Sequence, residues 1–163
     1  MWDILKGIII YESLFQVHEA IERSHIYKKA DLYAKSTNKP LIVIGGPSGG
    51  NYLLKQVFGY RAHGCGDVCV DINPKGCIDC QLPVLADITN IPLPDKCGVA
   101  YVSHVLEHLP TINHAKAAMS ELNRIADAIF ICYPNKLSLM AWLHPDHHLW
   151  VSKNGNGVVF QKR

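Results

Sequence analysis

The chain has 163 residues, 48% of them apolar and 18% charged, which suits one domain with a sizeable core and excludes a disordered chain. Sixteen basic residues against 14 acidic ones leave a net charge of +2, which is no nucleic-acid footprint. Apolar stretches such as Ile8–Ile10 and Ala128–Cys132 fall far short of a membrane span, and Trp2-Asp3 begins no secretory signal. The expectation is therefore a cytoplasmic protein whose six cysteines are reduced thiols.

Residues 1–39 read as a helical extension. Ser13 with Gln16 makes a capping-box pattern, Leu14, Val17 and Ile21 share a face, and the face shifts near Ser24 to Ile26, Ala30 and Tyr33. Two or three short helices are expected, either packed on the domain or serving as a lid or dimer surface with Trp2, Leu5 and Ile9 at the tip.

Residues 40–163 read as an α/β domain. Leu41–Ile44 is a short apolar run between Pro40 and Gly45, as in a buried parallel strand. Gly45-Gly46-Pro47-Ser48-Gly49-Gly50 follows, and then Leu53, Leu54, Val57 and Phe58 at helical spacing. Further runs end at Asp71, at Asp87 and at Ser103-His104. Thr111 caps an amphipathic helix carrying Ile112, Ala115, Met119, Leu122 and Ile125, and 128–133 is the strongest strand. A short helix at Leu137–Leu143 precedes two apolar runs joined by Asn154-Gly155-Asn156-Gly157, a hairpin signal. The expected fold is a doubly wound, mostly parallel seven-stranded sheet with helices on both faces and a C-terminal antiparallel hairpin.

In such a sheet, ligands bind beyond the carboxyl ends of the strands. A glycine-rich turn, Asp71, Asp87 and Ser103-His104 all fall there, in that order. Glycines let a ligand approach the backbone. A carboxylate after the second strand can accept hydrogen bonds from both ribose hydroxyls, and one after the third can accept from an exocyclic amine.

From about Pro40 onward this arrangement resembles the seven-stranded S-adenosylmethionine-dependent methyltransferases. Leu41–Gly49 stands at the family's first motif, Val70-Asp71-Ile72 at its ribose-binding acid, and Ala86-Asp87-Ile88 at its adenine-contacting acid. Ser103-His104-Val105-Leu106-Glu107-His108-Leu109 is similar to the fourth-strand signature. The resemblance implies S-adenosylmethionine as cofactor, bound by Gly45, Gly46, Ser48, Gly49, Asp71, Ile72, Asp87, Ile88, Ser103 and His104. It implies methyl transfer to an unidentified acceptor, O- or N-methylation ahead of C-methylation. Val43 replaces the family's usual acid and Pro47 its middle glycine, which leaves a non-catalytic binding or assembly module as the alternative.

Histidine titrates near neutrality, so His104, His108 and His148 are candidate general bases. His104, Glu107 and His108 also resemble the Glu-x-x-Glu-His metal motif of some O-methyltransferases, with His104 in place of the first glutamate. A divalent ion there would acidify an acceptor hydroxyl, but the preferred reading is that Glu107 and His108 are scaffold residues without metal. His144, His147 and His148 lie in the loop after the fifth strand. Cys65, Cys69, Cys77 and Cys80 have zinc-knuckle spacing, but ordinary buried or surface thiols are the preferred reading.

Overall fold

A computed structural model describes residues 2–46, 66–77, 80–155 and 157–163. The expected helix at 53–58, Pro47, Ser48, Gly49 and Cys65 lie outside these residues. Five strands, β1 (Leu41–Ile44), β2 (Val68–Asp71), β3 (Leu82–Leu85), β4 (Gly98–Ser103) and β5 (Ala126–Cys132), form one parallel sheet in the order β3-β2-β1-β4-β5. The order turns back on itself between β1 and β4, which creates a switch point at their C-terminal ends.

The seven-stranded doubly wound sheet with helices on both faces is not what the chain forms. Among the described residues, strands β6 (Leu149–Asn154) and β7 (Gly157–Lys162) pair only with each other, as a separate antiparallel sheet. The hairpin itself is as expected: Gly155 has φ +58°, the positive value that a two-residue primed turn needs. Its apolar side chains Val151, Val158 and Phe160 join the core. Its backbone stays away from β5, behind a groove lined by Asp127, Ile129 and Ile131 on one side and Lys153 and Val159 on the other.

Double winding would also place a helix in each crossover. Among the described residues only the β4–β5 crossover holds a long one, α2 (Ile112–Ile125). Pro74 in the β2–β3 connection and Pro92 and Pro94 in the β3–β4 connection lack the amide a helix interior needs. Helix α2 starts as its sequence indicates, with the Thr111 hydroxyl accepting from the His114 N–H, and sends Ala118, Leu122 and Ile125 onto Ile42, Ile44, Val70 and Val102.

The N-terminal extension is one helix, α1 (Trp2–Ser36), rather than two or three. Ser13 does not cap: its hydroxyl donates to the Ile9 carbonyl one turn back, and Gln16 donates to Glu12. That back-bonding is compatible with helix continuity, and 2–36 contains no proline. The helix ends where Asn38 takes a left-handed φ of +52°. Its C-terminal half packs Ile26, Tyr27, Ala30 and Ala34 on Leu41, Val43, Val99 and Tyr101. Alternation along β1 thus sends Leu41 and Val43 to α1, and Ile42 and Ile44 to α2.

The N-terminal half of α1 holds the segment after β5. The buried Glu12 carboxylate accepts from Ser138 Oγ and from the Leu139 and Met140 amides at the start of α3 (Leu139–Leu143), and Glu19 accepts from the Asn135 amide. Burial pushes Glu12 up, but the bonds from Gln16, Leu139, Met140 and Ser138 outweigh it, and its carboxyl lies below the ordinary value. No helix among the described residues is long and apolar enough to cross a membrane.

Candidate functional site

The switch point opens into a cleft of about 440 Å³, within the range of small-molecule sites. Because β1 to β4 run parallel, their C-terminal ends deliver four separate segments to one rim. Gly45 and Gly46 come from β1, Asp71 and Ile72 from β2, Asp87 and Ile88 from β3, and Ser103 and His104 from β4. These are eight of the ten residues expected to hold the cofactor; Ser48 and Gly49 lie outside the described residues. His108 also lines the cleft, whereas His148 is not among the lining residues and uses its backbone amide on the Glu107 carbonyl.

The two glycines are required sterically. Gly45 has φ +84°, and a Cβ on Gly46 would lie 2.2 Å from the backbone of Gly76. Asp71 ties these segments together, with Oδ2 accepting from the Gly46 amide and Oδ1 from the Asn73 amide. A carboxylate has about four lone-pair sites, and these bonds from described residues take two of them. Asp87 is fixed through one oxygen: Oδ1 accepts from the Thr89 amide and hydroxyl, and these bonds hold its carboxyl below the usual range. Acids and glycines therefore suit a ligand with a diol and an amine-bearing ring.

At the end of β4, His104 sits in the left-handed region at φ +53°, a conformation that stores strain and clusters at functional sites. Arg23 of α1 approaches its Nε2 at 3.5 Å. A guanidinium has only donors, so this nitrogen carries a lone pair directed at a cation. Acting as a base through Nε2 would require Arg23 to withdraw. His104 Nδ1 faces Glu107 Oε1 across 3.4 Å. The Glu107 carboxyl is 1% exposed, neither oxygen has a hydrogen-bond partner among the described residues, and burial pushes it up to about 8. Burial thus favours the neutral form of this carboxyl.

That geometry does not suit His104, Glu107 and His108 as a metal set. Glu107 points inward rather than to the cleft, and losing its proton in a dry site is costly. Among the described residues, the convergent nitrogen donors are instead His108, His144 and His147, one ring nitrogen from each lying within 4.8 Å of the others. Burial, opposed by the Asp146 carbonyl, holds His108 below its ordinary value. Burial, His108 and His144 push His147 down to about 4. The sequence places all three of these histidines on one edge of the sheet, in the loops after β4 and β5, but does not single them out from His104, Glu107 and His148 as the set that converges. Sequence reasoning missed Arg23, Glu12 and Glu19, whose only signal is charge on a helix that also carries apolar faces.

The cysteines correct another expectation. Cys69, buried in β2, forms a disulfide with Cys77, and Cys80 lies close to both. Cys97 is half-buried and Cys132 buried, with burial pushing the Cys132 thiol up to about 12. Trp2, Leu5, Ile8 and Ile9 are exposed and do not line the cleft. Comparisons with family models, with curated proteins and with solved structures returned no match.

Proposed function

We propose that the chain is an S-adenosylmethionine-dependent methyltransferase that binds its cofactor in the switch-point cleft and methylates an oxygen or nitrogen acceptor. The observation that carries this reading is the meeting of Gly45, Gly46, Asp71, Ile72, Asp87, Ile88, Ser103 and His104 around one cavity. Asp71 would take the ribose hydroxyls and Asp87 the adenine amine, while the unsubstituted Gly45 and Gly46 admit the cofactor to the backbone. The bound cofactor supplies an activated methyl group, and the protein's task is alignment and, for some acceptors, removal of a proton. His108 suits that last role better than His104. Its Nδ1 donates to the Asp146 carbonyl, which leaves Nε2 with a lone pair, whereas Arg23 stands against the corresponding nitrogen of His104.

Val43 favours a second reading, a binding module without catalysis. It is fully buried against α1 and brings no carboxylate to the glycine turn, so the Gly46 amide takes Asp71 instead, the acid that the ribose would need. Calorimetric titration with S-adenosylhomocysteine tests cofactor binding, and mass-spectrometric detection of methylated candidate acceptors separates the two readings. Micromolar binding with methyl transfer is expected; binding without transfer supports the module, and no binding at millimolar ligand refutes both.

A further inference from the structure

We propose that His108, His144 and His147 form a three-imidazole site for a borderline divalent cation of the zinc type, at the rim of the cleft. This site does not rest on the methyl-transfer reading, but a cation on His108 Nε2 takes the lone pair which that reading gives to proton removal, so the two uses of His108 exclude each other. Its elements are a 3-10 turn (Leu106–His108) that fixes the first ring and the loop after α3 that carries the other two.

The hydrogen bonds select the ligating atoms. His108 Nδ1 lies 3.0 Å from the Asp146 carbonyl oxygen, and His147 Nδ1 lies 3.1 Å from that of Ala141. A carbonyl has no proton to give, so both Nδ1 atoms donate, and both rings keep their lone pair on Nε2. Backbone carbonyls that orient imidazoles in this way are the usual outer shell of histidine metal sites. His144 completes the set, with its ring stacked on His147 at 4.3 Å and 5.3 Å from that of His108. Its Nδ1 receives only a long bond from the Asp146 amide, 3.3 Å, which a cation would replace.

The loop is held in place from behind. Arg163 Nη1 donates to the carbonyls of His144 and His147, so the backbone of this segment is anchored while the rings stay directed at one another. Zinc–nitrogen bonds of about 2.0–2.1 Å place tetrahedral ligands about 3.4 Å apart, so donors within 4.8 Å of one another need to close by up to about 1.4 Å.

The chemistry of the donors sets the class of ion. Three uncharged nitrogens suit zinc, cobalt, nickel or copper, whereas magnesium and calcium prefer oxygen. Three protein ligands leave a fourth tetrahedral position for water or for a ligand atom in the cleft that His108 lines.

Cobalt(II) titration of the full chain, without a histidine tag or reductant, tests the site. The expected result is about one cobalt per chain, with intense visible ligand-field bands, displacement by zinc and none by magnesium. His144→Ala and His147→Ala should each weaken cobalt binding by roughly tenfold or more, with the melting temperature in chelator unchanged. His144→Gln, an exchange at an exposed position, serves where an alanine variant does not fold. Absence of stoichiometric uptake would overturn the proposal. So would affinity unchanged in the histidine variants, or a sulfur-to-cobalt charge-transfer band that places the ion on Cys69, Cys77 or Cys80.

Discussion

Replacing Glu107 by glutamine should change how folding stability depends on pH. The wild-type carboxyl is buried, without a hydrogen-bond partner among the described residues, and is raised from 4.5 to about 8. The folded state therefore keeps a proton that the unfolded chain releases above about pH 4.5. Stability from this group is complete below that pH and is lost as pH rises through about 8. With those two values, linkage gives a loss of about 3 kcal/mol at pH 7 and under about 1 kcal/mol at pH 5. Glutamine has nearly the same shape and does not titrate. Urea unfolding of both proteins in chelating buffer should show Glu107→Gln gaining about 2–3 kcal/mol relative to wild type between about pH 5 and pH 7. A constant offset contributed by the amide cancels in that difference. Parallel pH profiles for the two proteins would refute the reasoning and mean that the Glu107 carboxyl titrates alike in the folded and unfolded states.

Asp71→Ala should weaken S-adenosylhomocysteine binding by about 1–3 kcal/mol in calorimetry, and Asp87→Ala by less, because water can replace Asp87 at the rim. Gly46→Ala should abolish that binding and lower the melting temperature, since its Cβ meets the Gly76 backbone at 2.2 Å. Unchanged affinity would show that the glycine turn is not pressed against Gly76. Glu12→Ala should lower stability by about 1–3 kcal/mol, as Ser138 and the Leu139 and Met140 amides lose their acceptor. Since the folded Glu12 carboxyl lies below its ordinary value, its contribution is present above the unfolded value and fades as pH falls through the folded one. The difference between wild type and Glu12→Ala should therefore shrink in acid, as measured by thermal melts.

Short-range pattern determined much of this protein. The apolar run Leu41–Ile44 is a strand because it is buried on both faces, and Thr111 starts a helix because its hydroxyl can take a free amide. The meeting of Gly45, Asp71, Asp87 and Ser103 was also legible, because parallel strands joined by crossovers bring all their C-terminal ends to one edge. Only tertiary structure decided the rest. Whether β6 and β7 join β5 depends on backbone hydrogen bonding between strands, which apolar alternation within each strand does not encode. The continuity of α1 was hidden because the shift of its apolar face at Ser24 marks a change of partner, from the segment after β5 to the sheet, rather than a break. The inward turn of Glu107, the Cys69–Cys77 bond and the approach of His108 to His144 and His147 join side chains from different segments. Local propensity specifies what each segment becomes, but which side chains meet depends on how the segments pack.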